Sequence, residues 1–408
     1  MHYSTADQTG KTHGFMIGDI QIDPFRPDAM SSEQEIVVGL SISLTGKFSC
    51  QGQQALNGIR LWQSYVNSQG GIALGGQGRR LVRLIYYDDQ SQVSGAQQNA
   101  LRLITEDRVD VLLGPYSSGL TLAVAQVAEQ HRKLLWNHGG SSDEIFNRGY
   151  RYLVSTPSPA SDYLRGLPHW LAETSPGLRR ICIVHSARGS FSTHVARGVV
   201  EAARAAGVHS VELIPIASRR GHADSLVREL CARSPQILVL AANFQQEVQM
   251  MRARSGADWP DTVREVAAVA AGVHAFYQEL NQRAEGAIGP SQWEPAPEAQ
   301  AESGPYRGEI YEPHSDWFVR SFQERFGQLP EYTAAGSFAI GLVLAECIRQ
   351  AGSLEDECLR EVASKLDFNT FYGRFRIDPE TGCQIGHRIL LIRWERGRKI
   401  VLGGQVNQ

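Results

Sequence analysis

Two loops of small residues hold the most usable chemistry in this sequence: Gly114-Pro115-Tyr116-Ser117-Ser118-Gly119 and Gly139-Gly140-Ser141-Ser142-Asp143. Each follows a short apolar run, and the first opens a helix at Leu120. Backbone N–H groups and serine hydroxyls therefore converge where a carboxylate can be held. Capping is the competing use of Ser118 and Ser142, and the two uses are compatible. A third loop, Ser43-Leu44-Thr45-Gly46, links an apolar run to an amphipathic one, an order that brings a helix N-terminus to the carboxyl end of a buried strand. This chemistry is binding before it is catalysis.

Other motifs fail on inspection. Gly46-Lys47 is not a phosphate loop, because Ser41 stands where its first glycine belongs and Phe48 where Ser or Thr must follow the lysine. Gly75, Gly76 and Gly78 precede their strand instead of following one, which breaks the dinucleotide fingerprint. No nucleotide cofactor is expected. A Gly-x-Ser-x-Gly elbow is absent and no histidine neighbours Ser117-Ser118, so a hydrolase would need its base from elsewhere in the fold. No catalytic residue is assigned. Asp88-Asp89 reads as a turn and a helix cap. His131, His138, His185, His194 and His274 lack metal-ligand spacing, and Cys50, Cys182, Cys231, Cys347, Cys358 and Cys383 form no CxxC pair. No metal is expected, and buried free thiols suit a reducing compartment slightly better than an oxidising one.

The elements that position these loops come in two sets. At 408 residues and 42% hydrophobic content, the chain exceeds the roughly 250–300 residues at which single cores stop growing. The net charge of -3 gives no basic face for nucleic acid or an anionic membrane. Residues 1–34 read as a disordered extension, since Met1 to Met30 carry four aspartates and no apolar core of a secretory leader. No other apolar run approaches the ~20 residues of a membrane span. Either an export signal lies outside this chain, placing it in the periplasm, or the protein is cytoplasmic.

Strand-like and helical stretches alternate, the pattern of a parallel sheet with crossover helices. Strands are expected at 36–42, 81–87, 109–113 and 134–136, and helices at 55–68, 96–105 and 120–131. After Thr156-Pro157-Ser158-Pro159 the rhythm restarts, with strands at 180–185, 211–216 and 236–241 and helices at 194–206, 222–233 and 245–254. Pro290 to Pro313 reads as an exposed loop. Helices follow at 315–326 and 333–351, and a hairpin-like pair, 372–377 with 388–394, closes the chain.

Taken in order, Leu44-Thr45-Gly46, Asn67 to Gly71, Asp88-Asp89, Gly114 to Ser118, Gly139 to Ser142, Ala284-Glu285-Gly286, Phe371-Tyr372-Gly373 and Ile392-Arg393-Trp394 resemble the type I periplasmic binding proteins of branched-chain amino acid ABC transporters. The resemblance runs from Ile36 to Val401. It implies an α/β fold of two doubly wound, Rossmann-like lobes joined by three crossings, closing on a small molecule as a hinged clamp. Lobe 1 would comprise 36–156 plus 288–372, and lobe 2 would comprise 157–287 plus 373–401. The ligand carboxylate would meet Ser117, Ser118, Gly140 and Ser141, with Gln51 where the family often places an aromatic.

The second lobe departs from that pattern. Phe191 stands where amino-acid binders have a tyrosine, and Asn243 or Phe244 replaces another. The acid that neutralises the ligand ammonium belongs near Ala270 to Val273, where no carboxylate occurs, while His274 stands where a ligand could meet it. A buried ammonium without a counter-charge costs several kcal/mol. The expected ligand is therefore a carboxylate or amide without an amine, unless an acid such as Asp162 rescues amino-acid binding. The implied role is that of a monomeric solute-binding protein delivering an amino acid or related carboxylate or amide to an ABC permease. Two alternatives stand beside it: a cytosolic ligand sensor on the same fold and, from another class, a cleft enzyme.

Overall fold

The structure, a computed structural model, describes residues 35–177, 179–187, 189–208, 210–216, 223–254, 256, 259–295 and 310–403. The extension expected at 1–34 lies outside these residues, as does 296–309 of the expected loop. The described chain opens with β1 (Glu35–Ile42), α1 (Ser49–Ser68), β2 (Ile72–Ala73), β3 (Arg79–Asp88), α2 (Val93–Thr105), β4 (Val111–Leu113), α3 (Ser118–Gln130), β5 (Leu135–Asn137), α4 (Asp143–Asn147) and β6 (Leu153–Ser155). These strands make one sheet in the order β2-β3-β1-β4-β5-β6. All its pairings are parallel except β2 with β3. β1 sits at its centre, and its run Ile36-Val37-Val38-Gly39-Leu40 is the near-continuous apolar sequence that a strand covered on both faces requires.

A second set follows: α5 (Leu167–Thr174), β7 (Arg180–Ser186), α6 (Ser190–Ala205), β8 (Ser210–Ile216), α7 (Ala223–Arg233), β9 (Ile237–Ala241), α8 (Phe244–Ala253), β10 (Glu265–Ala268), α9 (His274–Leu280) and β11 (Ile288–Ser291). The chain then returns through β12 (Ile310–Tyr311), α10 (Ser315–Phe326), α11 (Tyr332–Ala351), α12 (Asp356–Lys365), β13 (Phe368–Thr370) and β14 (Gly373–Phe375), and ends in β15 (Leu390–Glu395) and β16 (Arg398–Val401). The second sheet has the order β16-β15-β11-β10-β9-β7-β8, and β12, β13 and β14 make a small third sheet.

Three expectations need correction. First, 372–377 and 388–394 do not pair as a hairpin: β14 pairs with β13, and β15 with β11 and β16. Two apolar runs of similar pattern belong to different cores. Second, Pro290 to Trp293 are not exposed loop but a buried strand end, and Trp293 is 4% exposed. Pro290 is tolerated because β10 pairs with β11 at Ile288 alone, leaving its missing N–H without a strand to serve. The chain thus leaves the second sheet after Ser291, and Phe375 and Ile377 still pack in the first core. Both crossings fall later than residues 287 and 372. Third, α11 is long and apolar enough to span a membrane, but 78% of its apolar window is buried inside the first lobe, against α1.

The crossings are fastened together near Ser158, Gln292 and His387. Ser158 donates its N–H to Gln292 Oε1 at 3.2 Å, and Gln292 Nε2 donates to Ser158 O at 3.3 Å. Ser158 Oγ meets His387 Nδ1 at 2.8 Å. His387 stacks on Tyr372 with ring centroids 4.7 Å apart, and burial pushes its pKa down to about 4.

Candidate ligand-binding cleft

Ligands of open α/β sheets bind beyond the carboxyl ends of the strands, and here the loops at those ends meet across the two lobes. Ser141 Oγ lies 3.1 Å from Tyr163 OH, Ser142 Oγ 2.7 Å from Ser190 Oγ, and His274 Nδ1 3.7 Å from Glu331 Oε1. These contacts outline a cleft.

On the first-lobe side, Ser117 is the N-cap of α3 at φ 81°, ψ 142°. This is close to a region used almost solely by glycine and costs a residue with a side chain about 1–3 kcal/mol. The first intrahelical bond runs from Thr121 N to Ser117 O. The amides of Ser118, Gly119 and Leu120 precede it and have no helical carbonyl to reach. With the positive end of the helix dipole behind them, they form an edge suited to a carboxylate.

The neighbouring loop differs from expectation. Gly139 N and Gly140 N both donate to Asn137 Oδ1, at 3.1 and 2.8 Å, and Ser141 N and Ser142 N both donate to Ser118 Oγ, at 3.2 and 2.9 Å. The amides predicted to be free for a ligand are occupied within the protein. Gly140 is pressed on Thr121 so closely that a Cβ would lie 2.5 Å from its side chain. Ser118 thus ties one loop to the other, while Ser141 keeps its hydroxyl on Tyr163. Ser142 caps α4 through Glu144 N and also meets His194 Nδ1 at 3.2 Å, but it is only 1% exposed.

The second-lobe residues are less drawn together. Phe191 packs edge-on against Tyr163, with ring centroids 5.1 Å apart. Asn243 is exposed and spends its side chain in a capping box with Gln246 at the start of α8. Phe244 packs on the second-lobe core. His274 sits edge-on to Trp394 and faces Glu331. Gln51 is half-buried in the first turn of α1. The aromatic ring that meets Tyr116 is instead Phe48, with centroids 5.7 Å apart. Asp162 pairs with Arg165 at 3.7 Å.

Several cleft groups escaped the sequence reading. Tyr116 OH and Tyr332 OH are 3.2 Å apart, and burial pushes Tyr116 to a pKa of about 12 and Tyr332 well above its usual value. Tyr163 OH accepts from Gln292 Nε2 at 3.1 Å, which joins the cleft to the crossings. Beneath the second-lobe wall, Glu247 accepts Ala242 N at 2.7 Å and Ala270 N at 2.6 Å. An acid therefore does reach the Ala270 loop, from α8 and from behind. Burial outweighs both donors and pushes its pKa up to about 8. Only Glu247 carried a usable signal, an acid on the apolar face of a helix.

Residues 35–399 match the periplasmic binding protein family. The chain belongs to the periplasmic binding protein family. It is 27% identical to Leu/Ile/Val-binding protein homolog 8 of Brucella abortus (strain 2308) over 220 residues, 52% of this chain and 53% of that one. This family member thus spans about half the length of that curated relative in the match. A leucine binding protein from Thermotoga maritima superposes with a TM-score of 0.75 at 18% identity, covering 90% of this chain and 98% of its own. A solute binding protein from R. palustris in complex with benzoate gives 0.70 at 19% identity, covering 90% and 96%. The fold is that of two Rossmann-like lobes, as the resemblance implied.

Proposed function

We propose that this chain is a solute-binding protein that closes its lobes on a small carboxylate and delivers it, as a monomer, to the permease of an ABC transporter. One observation carries the reading: the unpaired first-turn amides of α3 and the strained Ser117 stand at a cleft whose lobes are joined by Ser141–Tyr163, Ser142–Ser190 and His274–Glu331. The cleft is read as non-catalytic. Ser118 and Ser141 spend their hydroxyls on backbone amides and on Tyr163, and Ser142, which meets His194, is buried at a helix cap.

The preferred solute is an acid or amide without an ammonium group. Glu247 commits both oxygens to backbone amides, and Glu331 already faces His274. The leucine-binding and benzoate-bound neighbours support this fold taking carboxylates with and without an amine. A thermal-shift screen against amino acids, aromatic acids, short amides and urea tests the role, because a ligand at 100 times its Kd adds roughly 2.7 kcal/mol. No response in any class overturns it. Calorimetric titration with leucine beside its 2-oxo analogue tests the preference, and tighter leucine binding overturns that part alone.

All six cysteines are free, which favours a second reading, a cytosolic sensor on the same fold. Cell fractionation separates the two, since delivery to a permease requires the periplasm.

A further inference from the structure

Ser141 and Tyr163 are buried, 3% and 9% exposed, and their hydroxyl oxygens lie 3.1 Å apart across the two lobes. What this pair can do is decided at Gln292, whose amide is oriented by backbone groups: Ser158 N donates to Gln292 Oε1 at 3.2 Å, and Ser158 O accepts from Gln292 Nε2 at 3.3 Å. A flipped amide would lose both bonds. The other N–H of Nε2 therefore goes to Tyr163 OH, 3.1 Å away, and Tyr163 can only accept it. Each hydroxyl carries one proton, and the bond between Ser141 and Tyr163 uses one of the two. For the other, no acceptor stands among the described residues. Burial pushes the Tyr163 pKa above its usual value, so the phenol keeps its proton. A phenol donates more strongly and accepts more weakly than an aliphatic hydroxyl, and Tyr163 already accepts from Gln292. Tyr163 thus donates to Ser141, and the proton left over is that of Ser141. Ser141 lies against the first turn of α3, its N–H 3.2 Å from Ser118 Oγ. A buried donor without a bond costs its full desolvation, so this proton calls for an acceptor from outside the chain.

We propose that Gln292 and Tyr163 are positioning residues that aim the Ser141 proton at the solute, so that this point of the cleft takes a group that accepts a hydrogen bond and rejects one that donates. The inference rests on the solute-binding reading and sharpens it. The donor chain runs from Gln292 N–H to Tyr163, from Tyr163 O–H to Ser141, and from Ser141 O–H to the solute. Its first member is fixed where the crossings are fastened, its second stands in the second lobe and its third in the first. The chain is complete only when the lobes meet. An ionised carboxylate accepts and carries no proton, so it ends the chain without conflict. An ammonium placed there meets a proton facing it, and an amide fits only with its carbonyl turned to Ser141.

Neutron diffraction from deuterium-exchanged crystals of the full chain reads the donor chain directly. The Tyr163 deuteron should lie on the line to Ser141 Oγ, and a Ser141 deuteron on that line overturns the proposal. Calorimetric titration with benzoate and its isostere benzamide reads the consequence. Wild type should bind benzoate more tightly by at least about tenfold, the scale of one hydrogen bond to a charged group. Gln292→Met removes the N–H without adding charge and frees Tyr163 to accept from Ser141, so the preference for benzoate should fall by about tenfold. Gln292 also holds Ser158, so Tyr163→Phe, which keeps its ring against Phe191, provides a second variant. It should lose the preference to a similar extent, and the double variant should lose no more than either single one. Equal weakening of both probes, or losses that add in the double variant, indicate a structural role alone and overturn the proposal. So does a preference that survives in both single variants. Silence of both probes with wild type overturns it as well, whereas the solute-binding role falls only if the wider thermal-shift panel is also silent.

Discussion

The two walls of the cleft begin from the same backbone device and use it differently. α3 starts after Ser117 at φ 81°, ψ 142°, and α6 starts after Gly189 at φ 90°, ψ 138°. In the second lobe glycine takes that conformation freely, whereas in the first a serine holds it against strain. Behind the first wall, loop amides are locked on Asn137 and Ser118. Behind the second, they are locked on one buried carboxylate, Glu247. The first wall is thus a rigid polar seat with a deliberate hydroxyl. The second is a more apolar face whose acid has been drawn inside to hold its own loops.

The sharpest way to break this contrast is Glu247→Ala. It leaves Ala242 N and Ala270 N unpaired in the core and should cost about 3 kcal/mol or more in urea unfolding. Glu247→Gln adds a pH test. With its folded-state pKa raised to about 8, the native protein holds this proton more tightly than the unfolded chain. That contribution is complete below the ordinary Glu pKa and drains away as pH rises through 8. The Gln variant should lack this decline, and a wild-type profile flat from pH 6.5 to 8 would place the charge elsewhere.

Ser141→Ala removes the hydroxyl that spans the lobes to Tyr163, and solute affinity measured by calorimetry should fall by about 1–3 kcal/mol. An unchanged Kd would make Ser141 part of the scaffold alone. Ser117→Gly copies the second lobe into the first. It should raise stability by about 1 kcal/mol through relief of strain while weakening solute binding, and a destabilised variant would sink the equivalence of the two helix starts. The smallest effect belongs to Asn243→Ala, which should cost roughly 1 kcal/mol of stability through its capping box and leave Kd unaltered. A large loss of affinity there would return Asn243 to the ligand.

Lobe architecture was legible because strand and helix periods alternate without interruption from Ile36 to Ala253 and the prolines of Thr156–Pro159 mark a break. The small-residue loops were legible because glycine and serine after an apolar run have few other uses. The tyrosine lining was not, since Tyr116 and Tyr332 are 216 positions apart and only the return of α11 to the first sheet unites them. Glu247 was missed for a related reason. Its partner Ala270 lies 23 residues on, so a search for an acid within the Ala270 loop could not find one arriving from α8. The closing strands were mispaired because the apolar pattern of 372–377 and 388–394 says that each packs, but not against which core.

The return of α11 also shapes how this protein is made. α1 presents Ile59, Trp62 and Val66 to a helix that ends at Ala351. At about 5–20 residues per second of synthesis, that face waits some tens of seconds for its cover. During that interval the first sheet is half-clothed on the ribosome while the second lobe is already being translated. The face begun first is therefore covered only after most of the second lobe has been translated, and the nascent chain's need for protection falls on α1 rather than on the cleft.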